Sequence, residues 1–325
     1  MKMTCINVGY GDSLLLEWKD SVMLIDGGSA LESEFEGFPA RIRSADYLQK
    51  TGIGRIDTLV ITHIHEDHVC GLTALFDKAD IKQVYIPFPP ELFKDRKIPD
   101  AAPDAPENVR LFARSLKDFT KIMETCRVRK IPVKEICAGE VLNCAGGAQL
   151  FVLGPNEKDK EAFLSGLQEF FGSSEETQQT ALFPYLDSLS NSSSLLLKFS
   201  YEDLHMLLCA DNCPSHWDKK VFSQLKDVTV LKLPHHGQRD CIDEEIVKLM
   251  PLHYVLTTAS SDRRHNSANP DVYKILTKIF ADNEKFTLLF SDAKEYPPYF
   301  FTEKPFQAIE MSFSGKDAQV KFIRI

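Results

Sequence analysis

The stretch Thr62-His63-Ile64-His65-Glu66-Asp67-His68 restricts the fold more than any other part of the chain. It follows Thr58-Leu59-Val60-Ile61, an apolar run short and β-branched enough to be a buried strand, and precedes Val69 to Phe76, which reads as a helix. Ligand-type side chains therefore sit on a strand-to-helix turn. His63 and His65 lie two apart, so on extended backbone both imidazoles leave the same face and can converge on one ion. Asp67 and His68 come after the chain turns and can point at a second ion beside the first. Neutral imidazole suits zinc, manganese or iron, and a carboxylate adds the negative charge that holds a dication. With nine histidines in 325 residues, three of them and an Asp within six positions at a strand end outweigh a plain polar loop.

His63-x-His65-x-Asp67-His68 followed by Gly71 resembles the signature of the metallo-β-lactamase-fold hydrolases. That resemblance implies an α/β chain folded as a four-layer αββα sandwich, with one or two metals at its edge and a bridging hydroxide as nucleophile. It names a superfamily and no substrate.

A hydrophobic share of 43% over 325 residues can bury a large core. No apolar stretch is long enough to span a bilayer and the first residues open straight into a strand, so the chain reads as soluble and cytoplasmic, with no membrane partner and no signal peptide. The eight cysteines are scattered with no Cys-x-x-Cys pair, which suits reduced core residues; Cys209 and Cys213, flanking Asp211, are candidates for packing around a metal site, but their spacing is not that of a zinc clamp. A net charge of -9 argues against a global basic footprint for nucleic acid but leaves open a local groove beside a metal centre.

Read in order, Met3 to Val8 and Ser13 to Trp18 look like paired strands joined by Gly9-Tyr10-Gly11-Asp12, and Val22 to Ile25 is a third strand ending in Asp26. A helix is expected over about 39 to 51, a proline-rich loop from Phe88 to Pro106, and an amphipathic helix over about 107 to 126. Short strands follow, then a helix over 157 to 171. Gly172 to Asn191 is rich in Ser, Thr and Gln and reads as a mobile loop. The sheet restarts at Asn191-Ser192-Ser193-Ser194-Leu195, and His205 to Ala210 ends in Asp211. A helix from about His216 to Leu225 leads to a strand that delivers Pro234-His235-His236-Gly237. Another helix is expected near 243 to 250. Strands followed by helices in both halves suit two sheets faced by helices, in a single domain over 1–325 with insertions near 88–130 and 155–190.

Taken together, Val8-Gly9-Tyr10-Gly11-Asp12, Leu24-Ile25-Asp26-Gly27-Gly28, the histidine cluster, Asn191 to Leu195, Ala210-Asp211 and Leu231 to Gly237 resemble one branch: the metallohydrolase domain of competence-type DNA-uptake channel proteins and its stand-alone relatives. Two departures stand out. Gln238 follows His-His-Gly where the branch usually has Ser, and Asn269-Pro270, with His265 nearby, stands where it has His-Pro.

The resemblance implies two divalent metal ions, zinc or manganese. His63 and His65 would hold the first, Asp67, His68 and His235 the second, and Asp211 would bridge both, so that Asp67 and Asp211 are the catalytic carboxylates. His235 is preferred because it leaves the strand first; His236 would then lie behind the ligands or face substrate, though the order could be reversed. Asp26 matches a residue that orients the metal loop, and Asp12, Ser193 and His265 are candidates for contact with substrate or leaving group. The expected reaction is hydrolysis of a phosphodiester, in nucleic acid or a small molecule. The alternatives are a lactone, thioester or amide hydrolase of the same fold, and a binding protein that kept the fold without turnover.

Overall fold

The computed structural model of the chain describes residues 1–292 and 295–325. Two mixed sheets carry the architecture, and each is antiparallel on one side and parallel on the other. In the first, the spatial order is Asp317–Ile323, Ala308–Ser314, Lys2–Ile6, Leu14–Trp18, Ser21–Ile25, Thr58–Val60, Val84–Ile86, Val133–Glu135. The strands from Ser21–Ile25 onward are parallel, with Ile25 opposite Val60 and Val60 opposite Tyr85. In the second, the order is Thr287–Phe290, Tyr254–Thr257, Val230–Lys232, Leu204–Leu208, Leu196–Tyr201, Gln149–Gly154, Val141–Asn143, and its first four strands are parallel.

Side-chain alternation decides which faces meet. On the first sheet Met3, Cys5, Leu14, Leu16, Met23 and Ile25 join one core with Leu150, Val152, Leu197, Phe199 and Met206 of the second. The alternate residues Ile6, Leu15, Leu24 and Leu59 point the other way, into a second core with the helices Ser44–Thr51, Glu107–Arg129, Glu157–Gly172 and Glu176–Ser190. A strand exposes successive side chains on opposite faces, so one run of apolar residues can serve both cores. Val221, Ile246, Val247 and the helix Pro270–Ile279, through Val272, Tyr273 and Leu276, cover the outer side of the second sheet. Helices, sheet, sheet and helices make the four expected layers.

Local structure departs from the sequence reading in several places. Gly172 to Asn191 is a helix over most of its length, Glu176–Ser190, and not a loop. Its polar composition hid a narrow stripe: Phe183 and Leu186 are buried, and Leu182 and Leu189 pack against the same core. Phe183 lies 5.3 Å from the Phe170 ring of the preceding helix. The helix expected after the histidine cluster is one α-turn, Glu66–Val69, continued by 3-10 turns. Residues 216 to 225 form 3-10 turns, and the helix near 243 to 250 shrinks to Glu244–Val247.

Candidate metal centre

The parallel strands of both sheets release their C-terminal ends towards one place, the usual position of a site in an open α/β sheet. Ser21–Ile25 runs into Asp26, Thr58–Val60 into the histidine cluster, Leu204–Leu208 into Asp211, Val230–Lys232 into His235 and His236, and Tyr254–Thr257 into Thr258. Asp26 is fully buried and takes three donors. Its Oδ1 accepts from the Thr62 amide at 2.9 Å, and its Oδ2 accepts from Thr62 Oγ1 at 2.6 Å and from His68 Nδ1 at 2.8 Å.

That pattern fixes imidazole orientation. With Nδ1–H committed to Asp26, His68 turns Nε2 towards the cluster. Thr62 Oγ1, having given its proton to Asp26, accepts from His63 Nδ1 at 3.1 Å, and His236 Nδ1 donates to the Thr258 carbonyl at 2.7 Å. These tautomers follow from the hydrogen-bond network. Each leaves an Nε2 lone pair facing inward, which is how a partner behind a histidine prepares it for a cation. His65 Nε2 lies 3.2 Å from Asp187 Oδ1 without hydrogen-bond geometry, and Asp187 accepts from Asn108 Nδ2 at 2.6 Å.

The side chains gather as two groups that share one carboxylate. His63, His65 and Asp211 form the first; Asp67, His68, Asp211 and His236 form the second. His63 Nε2 is 3.2 Å from His65 Nδ1 and 3.7 Å from Asp211 Oδ2. Asp211 Oδ1 is 3.3 Å from His68 Nε2 and 3.4 Å from His236 Nε2, and Asp67 Oδ2 is 2.9 Å from His236 Nε2. Ligands bonded at 2.0–2.1 Å around a tetrahedral ion stand about 3.3 Å apart, so this spacing is that of a coordination shell. Asp211 Oδ1 also makes no hydrogen bond of normal geometry among the described residues although it is buried. A buried carboxylate oxygen needs a positive partner, and these residues fit a cation there.

His236, not His235, belongs to this cluster, reversing the order preferred from sequence. Counting from the strand fails because the backbone stops being extended: His235 (φ 48, ψ 46) and His236 (φ 52, ψ 28) are both left-handed. His235 is turned towards Asn191, Gln238 and Asp240 instead. Asp12 and Ser193, expected to contact substrate, are instead buried against protein groups. Asp12 is buried in an ion pair with Lys232 and accepts from Thr258 Oγ1 at 2.5 Å, while Ser193 Oγ is buried and donates to the Ser190 carbonyl at 2.8 Å. His265 is exposed, with its ring 5.3 Å from that of Tyr10, which lies 4.4 Å from His236. Tyr10 is carried there by a loop in which a Cβ on Gly11 (φ 134) would collide with the Asp67 carbonyl. Sequence reading missed Asp187, set in the supposed loop, and Lys232, whose signal was a lone cation in an apolar strand.

Burial acts to raise the carboxyls of Asp67 and Asp211, but the imidazoliums of His68 and His236 outweigh it and hold both below the usual range. For His68 and His236, burial acts downward and is outweighed by Asp211 and Asp67, which lift His68 well above its ordinary value and His236 to about 9. His63 moves the other way, pushed down by burial and then by His68. A cation binds neutral imidazole, so loading at pH 7 must expel the protons on His68 and His236, and apparent affinity should rise with pH up to about 9. Titration calorimetry in buffers of different ionisation heat checks this; an enthalpy independent of buffer would contradict it. Asp26→Asn keeps the volume but replaces an acceptor of His68 Nδ1–H, and should weaken metal binding by roughly 10–100-fold. Unchanged affinity would mean that Asp26 does not orient His68.

Residues 6–115 match the description "Metallo-beta-lactamase superfamily". That match takes in about a third of the chain, from the first strand into the helix Glu107–Arg129. ComE operon protein 3 of Bacillus subtilis (strain 168) is 20% identical over 285 residues, which are 84% of this chain and 30% of that protein, so the chain spans less than a third of this relative. The metallo-beta-lactamase fold protein YhfI from Bacillus subtilis is 13% identical, with TM-score 0.46, 95% of this chain and 99% of YhfI being covered. Human tRNase Z, short form, is 12% identical with TM-score 0.39, and both chains are fully covered. The matched segment contains the His63 to His68 cluster, and the histidines and carboxylates that converge at the strand ends form groups that could hold metal ions. No helix among the described residues is long and apolar enough to cross a membrane.

Proposed function

We propose that the protein hydrolyses phosphodiester bonds with two divalent ions, zinc or manganese, held by His63, His65 and Asp211 on one side and by Asp67, His68, His236 and Asp211 on the other. The observation that carries this reading is the sharing of Asp211 between two ligand groups. Two adjacent dications supply a water acidified towards neutrality and positive charge against a phosphoryl group that gains negative charge on reaction.

The chain's own residues set the geometry. Asp26, Thr62 and Thr258 aim three imidazoles, and Asp187 of helix Glu176–Ser190 lies 3.2 Å from the fourth. The first group has three protein ligands, which leaves a position open. At the rim, His265 stands beside Tyr10, and the guanidinium of Arg264, ion-paired with Glu34 and Asp262, lies 5.7 Å over the Tyr10 ring. The resemblance to the metallohydrolase domain of DNA-uptake channel proteins favours nucleic acid among phosphodiesters.

The test is release of mononucleotides from single- and double-stranded DNA with manganese or zinc, with RNA and a small chromogenic diester in parallel and His63→Ala/Asp67→Ala as control. Metal-dependent cleavage that the control lacks supports the reading. No cleavage of any of these substrates removes it.

A further inference from the structure

A second kind of cation site lies on the far side of the His235–His236 turn. Cys213, His235 and Asp240 bring one ligand atom each to within 4.8 Å of one another, outside both groups described above. They come from three segments: the turn after Asp211, the left-handed turn after strand Val230–Lys232, and the 3-10 turn Arg239–Cys241. His235 Nδ1 is 3.5 Å from Asp240 Oδ1, close to the separation of about 3.3 Å expected for nitrogen and oxygen ligands of one tetrahedral ion. Cys213 forms the buried wall and Asp240 the exposed one.

We propose that Cys213, His235 and Asp240 bind a third, thiophilic divalent cation of the zinc type, leaving a coordination position open to solvent. The surroundings of His235 are compatible with it. As placed, His235 Nε2 faces two amide nitrogens, Asn191 Nδ2 at 3.1 Å and Gln238 Nε2 at 2.9 Å, while Asn191 Oδ1 is buried with no hydrogen-bond partner among the described residues. Amide nitrogen and oxygen are assigned from their surroundings. Turning both amides lets Asn191 Oδ1 and Gln238 Oε1 share the single proton of His235 Nε2–H. Nδ1 then presents its lone pair to Cys213 and Asp240, the tautomer a ligand needs.

The backbone is consistent with two uses of one turn. Non-glycine residues in the left-handed region cost on the order of 1–3 kcal/mol each and persist where surrounding structure enforces them. Here consecutive left-handed residues splay two rings, 6.4 Å apart, so that His236 enters the Asp211 cluster and His235 leaves it. Thiolate, imidazole and carboxylate with one open position is a donor set for zinc, whereas the shared Asp211 cluster contains no sulfur ligand.

That difference provides the test, which does not depend on the phosphodiesterase reading. Loaded with cobalt(II) under reducing conditions, the full chain should show a near-ultraviolet thiolate-to-cobalt band, reaching its maximum at about one ion per chain bound through sulfur. The band should survive in His63→Ala/Asp67→Ala, be lost in Cys213→Ser, and require at least about tenfold more cobalt in Asp240→Asn, an exposed replacement that spares packing. Absence of the band from the full chain, its survival in Cys213→Ser, or an unchanged cobalt requirement in Asp240→Asn overturns the proposal. DNA cleavage can fail without affecting this result, and the band can be missing while cleavage persists.

Discussion

Asp211→Ala is expected to empty both positions of the metal centre and to lower metal-dependent turnover by about three orders of magnitude. Asp211 alone belongs to both ligand groups, with Oδ2 towards His63 and Oδ1 towards His68 and His236. His63→Ala should instead weaken mainly the first group, since Asp67, His68, His236 and Asp211 remain together. Metal ions contribute several kcal/mol of charge stabilisation in hydrolytic transition states, and each 1.36 kcal/mol is a tenfold change in rate. The loss therefore follows from binding rather than from any proton held by Asp211 itself. Elemental analysis after dialysis, with far-ultraviolet circular dichroism to show that the variant is folded, reads the first part; turnover at saturating manganese reads the second. If the variant retains the metal content of the parent, the shared-carboxylate arrangement is wrong.

The sequence revealed those parts of the site that depend on strand ends. Asp26, His63, His65, Asp67, His68 and Asp211 each follow an apolar run, and parallel strands bring such positions to one edge whatever the loop lengths between them. His235 and His236 could not be separated the same way, because alternation predicts side-chain direction only while backbone stays extended, and both residues are left-handed. Asp187 was illegible for another reason. Its helix buries only a thin apolar stripe, so composition pointed to a loop, yet Ser190 Oγ donates to the Ile64 carbonyl at 3.0 Å and docks the end of that helix on the metal loop. Long-range polar pairing leaves no local pattern: Asp12 and Lys232 are far apart in sequence, and neither has a neighbour that announces the other.

That pair should matter for stability more than any other polar contact near the centre. Asp12→Ala is expected to destabilise the metal-free protein by about 3–5 kcal/mol, because it leaves Lys232 charged and buried with the Ala210 carbonyl, 2.9 Å away, as its remaining close partner. Burial alone would lower the ammonium of Lys232; Asp12 and then Asp211 outweigh it and hold the group above its ordinary value. Asp12→Leu combined with Lys232→Met removes both charges and should recover most of the loss, since replacing a whole buried pair by apolar side chains is often neutral or stabilising by 1–4 kcal/mol. Urea denaturation with chelator present measures both variants without a metal contribution. A single variant within about 1 kcal/mol of the parent would show that the pair contributes no more than a surface salt bridge. The double variant has a second consequence. Thr258 Oγ1 donates to Asp12 while the Thr258 carbonyl holds His236 Nδ1–H, so a chain that regains its stability without Asp12 should still bind its second ion more weakly, as His236 loses the fixed orientation of its support.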